Sequence, residues 1–226
     1  IETGRLKGSI SLLGGRIDQL ALKDYRVSLD DDAPIVDLLS PVGEKSPYYA
    51  LYGWAPGAGL AFEQVPGPNT IWSAQSSGNL SVDAPVTLTW DNGNGLQFTR
   101  TISVDENFMF SVAQSVENTG AGTVSLAPYG ILARHGEPQN LKNFFILHEG
   151  VVAMSDGELT EIDYSDMPDF DVNPNEGARA EVTQVAEQGW VGFTDQYWMT
   201  TLIPAPGAFK STAKYDDRRD IYQTEA

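Results

Sequence analysis

The stretch that most narrows the fold lies between residues 86 and 116. Val86, Leu88 and Trp90 alternate with threonines and run into Asp91-Asn92-Gly93-Asn94-Gly95, whose Asn and Gly residues accept the positive φ of a hairpin turn. Leu96, Phe98, Ile102 and Val104 then share one parity, and Asp105-Glu106-Asn107 makes a second turn. Phe108, Phe110, Val112 and Val116 keep that parity on the way out. A period of two marks strands with one buried face, because a helix of period 3.6 would spread these side chains around its circumference. The segment predicts a three-stranded antiparallel meander, with Trp90 buried on its apolar side.

Weaker copies of the pattern run along the rest of the chain. Ile10 and Leu12 precede Gly14-Gly15, and Ile17, Leu20 and Leu22 follow it, which predicts an N-terminal hairpin. Short strands are expected at 124–126, 158–164, 180–185, 190–194, 199–203 and 209–215, separated by Gly, Pro or acidic turns. Nothing reads as a long amphipathic helix, and residues 165–176, rich in Asp, Asn and Pro, read as a surface loop. Many short strands over a chain of 226 residues imply a large all-β antiparallel sandwich in one domain.

Charge and composition remove several classes of function. The chain carries 14 Lys+Arg against 31 Asp+Glu, a net charge of −17. Such a surface repels phosphate backbones and anionic headgroups, so nucleic acid and a bare membrane are not expected partners. The basic pair Arg218-Arg219 is flanked by Asp216, Asp217 and Asp220, which nearly neutralise it. Cysteine is absent, which removes disulfides, thiolate nucleophiles and zinc–thiolate clusters. The densest apolar run, Phe144-Phe145-Ile146-Leu147, is far short of the ~20 residues that a spanning helix needs. No basic-then-apolar leader opens the chain.

The residues that bear chemistry are few. His135 lies in Arg134-His135-Gly136-Glu137-Pro138, and a histidine beside a glutamate has the groups for acid–base work near neutral pH. A histidine in a polar turn after a strand is more often simply solvated, and His148-Glu149 is a weaker candidate still. Asp169, Asp171, Asn173 and Asn175 take alternate positions as in a calcium loop, but Pro174 stands where the sharp turn needs Gly and Ala180 where a closing Glu is required. These residues and Asp30-Asp31-Asp32 read as solvated turns, and no metal or cofactor is expected. Signatures of serine hydrolases, phosphate loops and zinc proteases are missing. Trp54, Trp72 and Trp198 with Tyr48 and Tyr49 could line a groove, since aromatic faces stack on sugar rings and apolar peptide. Their default home is the core, and Trp54 and Trp72, in turn-rich stretches, are the better groove candidates.

Particular strings carry a family resemblance. Leu6-Lys7-Gly8-Ser9-Ile10, Gly14-Gly15-Arg16-Ile17 and Leu20-Ala21-Leu22-Lys23-Asp24-Tyr25 resemble the opening of the large periplasmic domain of the YidC membrane protein insertase family of Gram-negative bacteria. Pro47-Tyr48-Tyr49 with Gly53-Trp54, Phe98-Thr99-Arg100-Thr101-Ile102 with Val116-Glu117-Asn118, and Gly189-Trp190-Val191-Gly192 with Thr194-Asp195-Gln196-Tyr197-Trp198 and Ile203-Pro204 follow in the family's order. The similarity runs from about residue 4 to residue 215.

The resemblance implies a β-supersandwich similar to galactose mutarotases, held in the periplasm by an inner-membrane, multi-pass protein. In the family, insertion takes place in a membrane-embedded bundle that this chain does not contain, so no insertase residue carries over. The expected role is non-enzymatic docking that assists insertion and folding of inner-membrane proteins, with and without the Sec translocase. Nascent membrane proteins and SecDF are the implied partners. The family domain continues past the last matched strand, so a single domain over 1–226 is expected to be truncated at its C-terminal edge. Two rival readings use the sandwich cleft: a sugar mutarotase or epimerase with His135 as general acid beside Glu137, and a carbohydrate-binding module that relies on exposed tryptophans.

Overall fold

Two chain segments, Ile1–Pro41 and Leu51–Tyr129, fold together as one unit, and Val42–Ala50 with Gly130–Ala226 make a second. The computed structural model describes residues 1–138, 141 and 148–226, so the run Phe144-Phe145-Ile146-Leu147 lies outside the described residues.

In the first unit, β1 (Leu6–Ser11) and β2 (Arg16–Arg26) form the expected N-terminal hairpin. It closes at Gly14 and Gly15, whose φ values of +78° and +62° lie in the left-handed region that glycine enters without a Cβ penalty. The pairing slips by one residue between Ser9 and Ile10. β2 also pairs with β3 (Ile35–Leu39), and the sheet continues to β4 (Tyr48–Pro56), whose residues from Leu51 onward belong to this unit. The second layer is β5 (Ser73–Ala74), β6 (Val86–Asp91), β7 (Leu96–Val104) and β8 (Phe110–Asn118), side by side in that order.

The register sets Trp90 opposite Phe98 and Phe98 opposite Val116, so the alternating apolar residues share a face. Leu88, Phe98 and Ile102 on that face are fully buried, and each contributes about 1.5–3 kcal/mol by leaving water. Ile17, Leu20 and Leu22 of β2 are buried too. Trp90, at the end of β6, is only half-buried and lies with its ring 5.5 Å from that of Phe98.

The second unit is again two antiparallel layers. One contains β9 (Leu126–His135, entering this unit at Gly130), β17 (Ile221–Glu225), β16 (Phe209–Asp216), β13 (Ala178–Val185) and β12 (Val172–Asn173), in that order. The other is β11 (Glu158–Asp163), β10 (Gly150–Ser155), β14 (Gly189–Thr194) and β15 (Met199–Leu202). Tyr164 joins the layers, stacked on Phe193 of β14 at 5.4 Å and meeting Tyr222 of β17 edge-on at 5.3 Å. Each unit is therefore an antiparallel β-sandwich, and the all-β expectation holds.

The structure corrects three local readings. The strand expected at 124–126 starts at Leu126 and runs to His135, so His135 ends a strand instead of sitting in a turn. Residues 165–176 are not a free surface loop. Tyr164–Asp169 forms a 3₁₀ turn, Val172–Asn173 pairs with β13, and Met167 and Phe170 are buried. Apolar side chains spaced three apart within an acidic stretch tie it to the core. β4, β10 and β17 had no period-two signal strong enough to stand out, because strands covered on both faces lose the alternation of a half-buried one, and β3 is only five residues long.

Candidate functional site

β7 places a charge where its pattern calls for an apolar side chain. Arg100 shares the parity of Phe98 and Ile102 and is fully buried. A guanidinium has five N–H donors, and unpaired donors in the interior are costly. Here each one is used. Nε donates to Gln114 Oε1 (3.1 Å), Nη1 to the carbonyls of Gly14 (3.3 Å) and Gly15 (3.0 Å), and Nη2 to the Tyr52 carbonyl (2.5 Å) and Gln114 Oε1 (3.0 Å). The Trp72 ring covers the cation at 4.5 Å. Burial lowers the Arg100 pKa to about 10 and raises that of Tyr52 to about 12. The arrangement ties the β1–β2 turn, β4, β7 and β8 to one point, and it leaves no donor for a ligand.

The second unit repeats the device with a counter-charge. Arg134 on β9 donates from Nη2 to Asp195 Oδ2 at 2.7 Å, and its guanidinium lies over the Tyr48 ring at 4.0 Å. The Tyr164 hydroxyl donates to the other Asp195 oxygen at 3.5 Å, and the Tyr48 hydroxyl hydrogen-bonds Thr200. Burial raises the Asp195 pKa, against the pull of Arg134. Burial also opposes the charge on Arg134, but the neighbouring Tyr164, Tyr48 and Asp195 outweigh it and keep the guanidinium protonated.

The aromatic groove candidates fall in both units. Trp54 and Trp72 belong to the first, Tyr48, Tyr49 and Trp198 to the second. Trp72 is 1% exposed and Tyr48 4%, and both rings already have an arginine on one face. These two are core residues, and the groove expectation is corrected for them: neither presents a face to a sugar or peptide. Trp54 is half-buried against Phe98, with ring centres 6.4 Å apart. Trp198 is half-buried in the turn before β15, where its carbonyl accepts from the Asp195 N–H at 2.8 Å. Tyr49 is half-buried beside His135.

His135 and Glu137 have different partners. His135 Nε2 is 3.4 Å from the Tyr49 hydroxyl, with the rings 5.8 Å apart, whereas exposed Glu137 accepts from the Tyr222 hydroxyl at 3.4 Å. Burial, then the nearby Arg219, lowers the His135 pKa against the opposing pull of Asp220, which disfavours the protonated ring a general acid needs. His148 is fixed at the start of β10 by Asp163 Oδ1 (3.1 Å) and the Val151 carbonyl (2.7 Å). Among the described residues no cluster of three His, Asp or Glu side chains is placed to hold a metal.

Sequence reasoning passed over Arg100 and Arg134. The signal for Arg100 was available, as a charge on the apolar parity of a strand. For Arg134 the partners come from β4, the turn after β14 and the 3₁₀ turn, far apart in sequence.

The two arginines are thus held within their own units, Arg100 fully buried with every donor used and Arg134 half-buried between Asp195 and Tyr48. Comparison with known proteins gives the family. The family model of the YidC periplasmic domain matches residues 1–226. The membrane protein insertase YidC of Ruegeria sp. (strain TM1040) is 66% identical over 221 residues, covering 97% of this chain and 36% of that protein. Its counterpart in Roseobacter denitrificans is 62% identical over 226 residues, all of this chain and 37% of that protein. That of Jannaschia sp. (strain CCS1) is 58% identical over 227 residues, again all of this chain and 36% of that protein. The chain thus spans a little over a third of the length of these relatives. None of these names is that of a sugar-converting enzyme, and the mutarotase reading is dropped. No helix among the described residues is long and apolar enough to cross a membrane. With a match over its whole length and relatives this similar, the chain belongs to the YidC periplasmic domain family.

Proposed function

We propose that this chain is the periplasmic part of a longer inner-membrane, multi-pass insertase, and that it assists the insertion and folding of integral membrane proteins by docking instead of catalysis. The observation that carries the reading is the family match over residues 1–226, joined to relatives named as insertases. The geometry is in keeping with it. Arg100 has its donors filled by the fold, Arg134 is paired with Asp195, and the histidines serve as local fasteners.

Residues 1–226 act as one functional domain in this proposal. Its partners are nascent membrane proteins, reached with and without the Sec translocase, and SecDF is the translocase component it contacts. A net charge of −17 keeps the body off an anionic lipid surface. The test replaces the full-length gene by one lacking this segment and follows a multi-spanning reporter by protease protection, together with capture of SecDF on the full-length protein. Slower insertion and lost capture are the expected results. Unchanged insertion and SecDF recovery in the deletion strain would overturn the proposal.

A further inference from the structure

A strand at the end of a sheet leaves a row of backbone N–H and C=O groups unpaired, and proteins usually blunt such edges with charge, short length or a bulge. Most edges here are blunted. β5 and β12 are two residues long and β15 four, β11 carries Glu158, Glu161 and Asp163, and β1 has Lys7 and a slipped register. β8 is the exception. It ends its sheet, runs nine residues from Phe110 to Asn118 with continuous register against β7, and has no charge before Glu117.

Hydrogen bonds at the two ends of the β7–β8 pair show which groups are free. Asp105 N–H donates to the Met109 carbonyl and Thr119 N–H to the Gly95 carbonyl, so the ladder bonds fall on odd-numbered residues. In an antiparallel pair the alternate residues then point away from the partner strand. The N–H and C=O groups of Phe110, Val112, Gln114 and Val116 therefore face outward, and among the described residues no hydrogen bond reaches them. The side chains of Phe110, Val112 and Val116 are half-buried along the same edge, so an added strand would find apolar neighbours at three of the four alternate positions on its inner side, Gln114 being the fourth.

Charge selects the occupant. Residues 51–129 carry six acidic side chains and one basic one, and the basic one is the buried Arg100. The exposed carboxylates around β8, Asp91, Asp105, Glu106 and Glu117, outnumber the cation beside its first turn, Arg5, which is paired with Asp24. A second copy would bring the same negative field against itself, whereas a cationic strand would be drawn in. We infer that β8 is a docking edge that accepts an extended, positively charged segment of another polypeptide by strand addition, with apolar residues at alternate positions.

The test uses the whole chain and a capped peptide of alternating Val and Thr with a Lys at each end, followed by fluorescence anisotropy. Two protein variants separate the edge from general charge attraction. Val112→Pro removes one outward N–H and leaves the β7 ladder intact, and Ser115→Lys adds a cation on the exposed face. Each is expected to weaken binding at least about tenfold, and the same peptide with Glu ends is expected to bind at least about tenfold more weakly to the unaltered chain. Should Val112→Pro fail to fold, Ser115→Lys decides. Absence of binding, binding insensitive to the folded variants, equal binding of the Glu-ended peptide, or a β8-dependent dimer of the chain alone would each overturn the inference.

Discussion

The guanidinium carbon of Arg100 lies 4.5 Å from the centre of the Trp72 ring, and both side chains are buried in the first unit. The tryptophan covers one face of a cation whose edges are filled by backbone carbonyls and Gln114. Arg100→Ala strands those acceptors and opens a cavity, so a loss on the order of 4 kcal/mol is expected. Arg100→Lys keeps the charge but not the planar fork, and about 2 kcal/mol is expected. Urea unfolding followed by Trp fluorescence checks both, and equal losses would show that the planar fork, and not the charge, holds the site.

Gly15 supplies an independent measure of the same site. It has φ +62°, and a Cβ there would lie 2.5 Å from Arg100 Nη1 and 3.2 Å from the Trp72 ring. Gly93 has φ +71° with open space around it. Gly93→Ala then reports backbone strain alone, about 1 kcal/mol. Gly15→Ala adds displacement of the guanidinium and is expected to cost at least about twice as much. Thermal melts of the two variants compare them, and similar losses would mean that the cage yields without resistance.

In the second unit, Tyr48 offers a hydroxyl to Thr200 and a ring to Arg134. Tyr48→Phe keeps the ring and is expected to cost about 1 kcal/mol. Tyr48→Leu also loses the cation–ring contact and should cost about 1–2 kcal/mol more. Chemical denaturation of both variants resolves the step between them.

Two aspartates should respond to acid in opposite senses. Asp156 accepts backbone N–H bonds from Ala186, Glu187 and Gln188, which lower its pKa. Its stabilisation is present above the ordinary carboxyl range and is lost as pH falls through the folded value. The stability gap between the unaltered chain and Asp156→Asn should therefore be widest near neutrality and close in acid. Asp195 has a raised pKa, chiefly from burial, so the unfolded chain releases that proton first as pH rises. The cost of Asp195→Asn should shrink between about pH 3 and pH 7. Urea midpoints across that range test both signs, and parallel profiles would contradict the assignments.

The meander of β6, β7 and β8 was legible because each strand buries one face, which leaves a period of two in the residues themselves. β10 was not, since Gly150, Val151, Val152 and Ala153 are all buried and nothing alternates. The tryptophans misled for a related reason. A ring in a turn-rich segment such as Ile71-Trp72-Ser73 reads as exposed, and only the arrival of Arg100 from β7 shows why Trp72 is enclosed. Tyr48 required Arg134 and Thr200, 86 and 152 residues further along, whose meeting no local spacing records. The edge character of β8 likewise depends on sheet order, which the strand's own residues do not encode.

The anchoring of the acidic 164–170 stretch by Tyr164, Met167 and Phe170 bears on how this polypeptide ages among proteases. A glutamyl or aspartyl endopeptidase needs about eight to ten residues of slack chain in its cleft, and here slack comes only when those three side chains leave the interior. Cleavage there should track wholesale opening of the second sandwich, so the segment that looks most vulnerable in composition should be among the last cut.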